Sequence, residues 1–367
     1  MSGGLSSATG GTGGDDGRLV FNAANPITEV VERRPSGDGT AVVKVLRPDG
    51  QVTVDHWVTS TDTAHWNLWN REDLAYTSAL TDAYASDGIR GPRLLDRVVR
   101  GDGAVELWLE DVAGRPGPVW DLDDHARFAR RLGAAQGRWA RPGAAPRHEW
   151  LTRGWLRTYA MSRPPGPGIL HDAAAWEHPV VVAGLGDERH RIRARFAELH
   201  DDADHWFGLL EALPRTLCHL DCWPNNAIAA DDGTDVLIDW SFVGDGAVGE
   251  DPGNWVPDTL FDHFMEPDAF GVLDRTMWTN YADGLDDADW PHDPDVARLA
   301  MCASAVKYVW LPGLMVGRAD HDGPTAYGGK EGYPLVEVFR RRAVVFDALL
   351  GWIDEASALA DALGLAP

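Results

Sequence analysis

Residues 27–60 alternate apolar and polar side chains, with interruptions at Ser36-Gly37-Asp38-Gly39 and Pro48-Asp49-Gly50. Both interruptions carry turn chemistry, so the stretch predicts an antiparallel meander. The period then lengthens, predicting a helix from about His65 to Tyr84. Two further strands, Leu94 to Arg100 and Ala104 to Glu110, flank Gly101-Asp102-Gly103. From Val112 to Pro118 the Pro and Gly content is that of a linker. Beyond it helical spacing dominates, at about 123–140, 187–212, 295–310 and 334–364, with one short strand pair near 216–240. The pattern predicts an α+β chain in two lobes. A flexible tail covers 1–17, an antiparallel sheet lobe with one main helix covers 18–112, and a larger, mainly helical lobe with a short β-hairpin covers 113–367.

A chain of 367 residues is long enough for two lobes with a cleft between them. Its 57 acidic and 33 basic residues leave a net charge of −24. That field repels phosphate backbones and anionic lipid, which argues against nucleic-acid and membrane partners; it suits a cationic ligand without selecting one. No apolar run approaches the ~20 residues of a membrane span. The first 17 residues have neither the basic nor the apolar region of a signal peptide, and three cysteines are too few for a disulfide framework. The expected compartment is the cytoplasm. Cys218 and Cys222 bracket His219, but too few further ligands accompany them for a zinc site.

The chemistry concentrates in Leu217-Cys218-His219-Leu220-Asp221-Cys222-Trp223-Pro224-Asn225-Asn226 and, after Asp231-Asp232-Gly233-Thr234, in Asp235-Val236-Leu237-Ile238-Asp239. Symmetric pairing about that four-residue turn sets Ala230 opposite Asp235 and Asn226 opposite Asp239, with Cα atoms ~5 Å apart. An amide oxygen and a carboxylate then converge as hard ligands suited to Mg²⁺. Asp221 lies in the loop feeding the hairpin, where a base for a substrate hydroxyl would stand. In the first lobe Lys44 shares a strand face with Val42 and Leu46, and Glu72 shares a helix face with Leu68, Ala75, Tyr76 and Ala79. Each charge is unwelcome there alone, so the two are expected to pair. An edge-strand lysine and a solvated glutamate are the plainer alternatives.

His219-x-Asp221-x4-Asn226, with Asp239 in Ile238-Asp239-Trp240, resembles the catalytic loop and metal Asp of aminoglycoside-phosphotransferase-like kinases. The likeness runs from about residue 20 to 270 and continues in Gly249-Glu250-Asp251-Pro252, similar to that family's Gly-Asp-Pro segment. The resemblance implies a bilobal protein-kinase-like fold, Mg²⁺, and ATP or GTP as co-substrate. It implies Asp221 as base, Asn226 and Asp239 as metal ligands, and structural roles for His219 and Asp251. It also implies a hinge around Leu109 to Val112, so that Glu110 and Val112 bind the nucleotide base.

Two features depart from the family pattern. The loop expected over the phosphates, about Asn25 to Glu29, contains no glycine, which leaves backbone N–H groups and the Thr28 hydroxyl to contact phosphate. Trp255 stands where many relatives carry an Asp. Asp245, Glu250, Asp258, Asp262, Glu266 and Asp268 form an acidic run after the metal Asp. They line a substrate cleft or form a solvated helix face. With Trp255, the first four of these are the candidate acceptor contacts. The expected activity is transfer of a γ-phosphoryl group to a hydroxyl of a small molecule, first of all an antibiotic. A metabolic acceptor such as a sugar, a choline-like alcohol or a hydroxy amino acid is the alternative, and a non-catalytic nucleotide or ligand binder is the rival from another class.

Overall fold

β1 (Thr28–Ser36) and β2 (Gly39–Leu46) form a hairpin closed by Gly37-Asp38, with Gly37 at φ 58°. A left-handed residue there matches the twist of the flanking strands. The computed structural model describes residues 17–19, 21, 25–52, 57–144, 146–162, 166–320 and 332–365. Every residue of β2 from Ala41 to Leu46 is buried. It is an inner strand of the sheet β1-β2-β5-β4, built with β4 (Leu94–Val99) and β5 (Val105–Glu110), all neighbours antiparallel.

Among the described residues the third strand of the expected meander does not form; Ser60 makes only an isolated bridge to Leu68. The long helix expected from His65 to Tyr84 is also much shorter, α1 (Arg71–Thr77). Ala79 adopts φ 57°, which an α-helix cannot continue through, and short 3₁₀ turns at Leu80–Asp82 and Ala85–Asp87 follow.

β3 (Ile89–Arg90) and β6 (Gly114–Pro116) are the outer strands of a second sheet, β3-β10-β9-β6, around the hairpin of β9 (Ala227–Ala230) and β10 (Asp235–Leu237). The segment that reads as a linker therefore contains a strand paired to β9. A third sheet orders β7 (Thr152–Arg153), β11 (Gly244–Ala247) and β8 (Arg215–Cys218) as β7-β11-β8.

The remainder is helical. α2 (Leu122–Trp139) starts at a capping box in which Asp121 accepts from the backbone N–H of Asp124 and Asp124 from that of Asp121. α3 (Trp155–Met161), α4 (Gly166–His171), α5 (Pro179–Leu185), α6 (Glu188–Asp201) and α7 (Ala203–Ala212) precede β8. α8 (Glu250–Phe261), α9 (Phe270–Asp287), α10 (Pro294–Ala303), α11 (Leu311–Gly317) and α12 (Leu335–Ala362) complete it. α2 and α9 touch backbone to backbone: a Cβ on Gly133 would lie 2.1 Å from Tyr281 O, and one on Gly284 2.1 Å from Arg130 O. Only glycine permits that approach. Contrary to expectation, Pro294–Gly317 is long and apolar enough to cross a membrane by length and composition, but 94% of its most apolar window is buried inside the fold.

Candidate active site

The catalytic hairpin is one residue out of the symmetric register. Asp235 faces Ala229 and Leu237 faces Ala227, and the Ile238 N–H donates to Asn226 O at 2.9 Å, so Asn226 opposes Ile238 and not Asp239. The reason is the turn. Thr234 O accepts from the Ala230 N–H, leaving three residues in the loop with Gly233 at φ 85°. Asp235, fully buried, accepts from Arg127 at 2.9 Å and Arg131 at 2.8 Å, fixing the hairpin to α2. Past Leu237 the chain turns sharply, with Asp239 at φ 60°. That conformation, tolerable for Asp, swings its carboxylate toward β2.

There Lys44 Nζ lies 2.8 Å from Asp239 Oδ1 and 2.5 Å from Glu72 Oε2, with Lys44 only 3% exposed and Glu72 2%. The Ser241 hydroxyl donates to Asp239 Oδ1 at 2.6 Å. Burial alone would lower the Lys44 pKa, but the Asp239 and Glu72 carboxylates outweigh it and hold it above the usual lysine range. Burial and the Asp239 charge raise the Glu72 carboxyl, against the pull of Lys44. Beside Glu72, Arg71 is fully buried and donates to the backbone carbonyls of His65, Trp66, Trp150 and Ser241; burial lowers it to about 9.

The loop that carries Asp221 is held from below. Leu220 takes φ 67°, a strained setting for a bulky side chain. The Asp251 carboxylate, at the start of α8, accepts from the N–H of His219 and of Leu220, each at 2.9 Å, and from Gln136 Nε2 at 2.7 Å. Tyr281 O–H donates to Gln136 Oε1 at 2.6 Å and extends the network to α9. His219 Nε2 lies 3.0 Å from Ile238 O and its ring meets Trp240 edge-on at 4.9 Å; burial lowers its pKa to about 4, so it is neutral.

Asp221 is 2% exposed, and burial followed by the Asp239 charge pushes its carboxyl up to about 7. Asn226 Nδ2 donates to Asp221 Oδ2 and to Asp221 O, both at 2.9 Å. Asn226 Oδ1 is buried with no hydrogen-bond partner. A buried acceptor of this kind beside a carboxylate suits a hard cation such as Mg²⁺, and on that observation Asn226 and Asp239 fit the metal.

A cavity of about 250 Å³ opens between the sheets, lined by Val42, Leu109, Ile228 and Ile238 and, at its polar end, by Glu72 and Asp239. Glu110 and Val112 also line it. Thr28 does not: it starts β1 opposite Leu46, at the other end of β2 from the turn. None of the acidic candidates lines this cavity. Asp245 is 3.3 Å from Arg215, Glu250 accepts from the Ala247 N–H at 2.9 Å, and Asp258 is 2.9 Å from Lys307. Trp255 stacks on Phe128 at 4.4 Å and donates to His125 Nδ1, wholly inside the core. Asp262 is buried one helical turn beyond Asp258. Lys307 went unnoticed in the sequence; its signal was a single charge within Ala305-Val306-Lys307-Tyr308-Val309-Trp310.

Glu250 yields a pH-dependent expectation. Burial raises its carboxyl from 4.5 to about 7, so the unfolded chain releases this proton first and stability falls as pH rises from about 4.5 to 7. Glu250→Gln keeps an acceptor for Ala247 and is expected to raise stability by about 2–3 kcal/mol at pH 8, and by nothing below pH ~4.5. Thermal melts at pH 4.5 and 8 check this; a variant less stable at pH 8 would mean that the carboxylate is ionised and useful.

A two-lobed kinase-like phosphotransferase is the class that this fold and site define. The phosphotransferase enzyme family (APH) matches residues 29–283, well over half of the chain, and the protein belongs to that family. Among solved structures, an aminoglycoside phosphotransferase from Alicyclobacillus acidocaldarius subsp. acidocaldarius DSM 446 superposes with a TM-score of 0.52 at 16% identity, covering 92% of this chain and 94% of that one. Amicoumacin kinase hAmiN, in complex with AMP-PNP, Ca²⁺ and Ami, gives 0.50 at 13% identity, covering 87% and 85%. A choline/ethanolamine kinase family protein from Mesorhizobium loti gives 0.47 at 14%, covering 90% and 92%. The first two likenesses establish the protein-kinase-like fold. No curated protein matches the chain significantly. The chain is a small-molecule phosphotransferase with a hydroxyl acceptor.

Proposed function

We propose that this phosphotransferase moves the γ-phosphoryl group of ATP or GTP, with Mg²⁺, to a hydroxyl of a small antibiotic. The observation that carries the reading is the meeting of Lys44, Glu72 and Asp239 at one end of the cavity with the Asp221–Asn226 pair on the loop beside it. In this reading the apolar walls Val42, Leu109, Ile228 and Ile238 enclose the base, and the backbone from Glu110 to Val112 meets its polar edge. Lys44, fixed by Glu72, binds phosphate oxygens. Asn226 Oδ1 and Asp239 would hold Mg²⁺, which supplies charge neutralisation to the phosphates. Asp221, poised near neutrality, orients the acceptor hydroxyl and takes its proton. We place the enzyme in the cytoplasm, without nucleic-acid or membrane partners, and the lobe boundary at residues 112–113.

ADP or GDP release across a panel of hydroxylated antibiotics, sugars and amino alcohols tests the proposal. Release is expected to depend on one acceptor class and to stop when EDTA removes the metal. Antibiotics that give no release while a sugar or amino alcohol does would replace the antibiotic with a metabolic acceptor. Nucleotide binding with no release across the panel would make the protein a binder.

A further inference from the structure

Lys307 lies in the 3₁₀ stretch Ser304–Tyr308, between α10 and α11, and is 3% exposed. Its ammonium donates to Asp258 Oδ2 at 2.9 Å. The same nitrogen stands 5.6 Å from the ring centre of Trp155, 5.6 Å from that of Tyr159 and 5.1 Å from that of Tyr308. Tyr308 O–H donates to Asp258 Oδ1 at 2.8 Å, so a wall of the cage also orients its carboxylate. Three aromatic rings and one carboxylate around an ammonium are the chemistry by which proteins recognise alkylammonium ligands. Here the chain supplies the cation itself.

The cage shares a helix with the support of the catalytic loop: Asp258 lies about two turns along α8 from Asp251, whose carboxylate holds the His219 and Leu220 N–H groups. Lysine is also scarce. Of 33 basic residues only Lys44, Lys307 and Lys330 are lysines, and Lys330 lies outside the described residues. A compact ammonium fits a closed cage that a planar guanidinium does not, which accounts for lysine at this place in an arginine-rich chain. Two further carboxylates of the acidic run are engaged as well. Asp245 holds Arg215, and Glu266 holds Arg341 at 2.8 Å.

We propose that Lys307 is the resident cation of an ammonium cage built against the helix that supports the Asp221 loop, and that it excludes cationic acceptors so that the enzyme selects uncharged hydroxyl compounds. The proposal rests on the phosphotransferase reading above. An acceptor bearing an ammonium near its reactive hydroxyl would meet Lys307 as a like charge in a buried setting, which costs far more than in water.

Two measurements test it. In thermal melts, millimolar tetramethylammonium or n-butylammonium is expected to stabilise Lys307→Ala, whose cage is vacated, and to leave the wild type unmoved. A variant indifferent to both ions overturns the cage. In ADP-release assays on the wild type, an amino sugar is compared with its N-acetylated form. The uncharged form is expected to have a KM lower by at least about tenfold. Preference for the amine overturns the selectivity. If Lys307→Ala does not fold, Lys307→Met keeps the apolar stem and is expected to lose the discrimination between the two sugars; an unchanged preference overturns the assignment to Lys307. Absence of release from every acceptor by the wild type defeats the phosphotransferase reading instead, and the melts still decide the cage.

Discussion

Asp221→Asn is expected to lower turnover by about 10²–10⁴-fold while leaving nucleotide affinity and stability intact, because only the proton acceptor is removed. The amide keeps an oxygen for the Asn226 Nδ2 bond, so the loop has no reason to move. Stability should rise if it changes, since the carboxyl is fully buried and burial already disfavours its charged form. Steady-state ADP release, nucleotide titration and a melt, made on the same preparation, separate the outcomes. Loss of turnover and affinity together would make Asp221 a nucleotide-site or structural residue. Unchanged turnover would remove it from the chemistry.

Asp251→Ala is expected to be the most damaging substitution for stability among the site residues, costing about 3–5 kcal/mol. Three donors lose their acceptor at once: the His219 N–H, the Leu220 N–H and Gln136 Nε2, all in a buried setting. The same carboxylate gathers the N–H of the left-handed Leu220 and that of the residue before it, so its loss is expected to release the backbone there. Asp251→Asn should be intermediate, because an amide offers one oxygen where two are used. Denaturant melts of both variants, with turnover measured well below the midpoint, decide the matter. If Asp251→Ala melts like the wild type, the clamp contributes nothing and Leu220 is held by its own packing.

The parts of the site that were legible in the sequence are those where a residue contradicts its local pattern. Lys44 and Glu72 stood out as charges on apolar faces, and the structure brings them to 2.5 Å. The hairpin was legible as two short runs around a turn, but its register was not. Gly233 in a left-handed conformation makes the loop one residue shorter than a symmetric reading assumes, and that shifts every pair. α1 was overextended because nothing in the composition marks Ala79 as the residue that turns left-handed.

The acidic run stayed ambiguous for a different reason. α8 is buried on nearly all sides, so periodicity cannot separate an inward carboxylate from a cleft-facing one, and only the partners Ala247 of Glu250 and Lys307 of Asp258 distinguish them. Lys307 itself lies in 3₁₀ geometry between two helices, where a 3.6-residue period assigns it no face. The α2–α9 pair was half visible. α2 carries a clear apolar stripe, and on α9 the buried Phe270, Leu273, Met277, Tyr281 and Leu285 also recur at three- and four-residue spacing, but the close approach at Gly133 and Gly284 leaves no mark in that pattern.

The plate that carries Lys44 is tethered to the catalytic hairpin at two places. Ile89–Arg90 pairs with β10 just before β4 begins, and Gly114–Pro116 pairs with β9 just after β5 ends. A panel fixed at two points keeps one easy freedom, rotation about the line that joins them, while sliding and twisting are resisted. Lys44 would then approach or leave Asp239 along a single arc, like a door on two pins, and the spacing between phosphate-binding and metal-binding groups becomes a function of one angle. Cutting either pin, for instance with a proline at Ala229 to remove the N–H on the β6 side, would add a second freedom. Lys44 would then be delivered to many places instead of one.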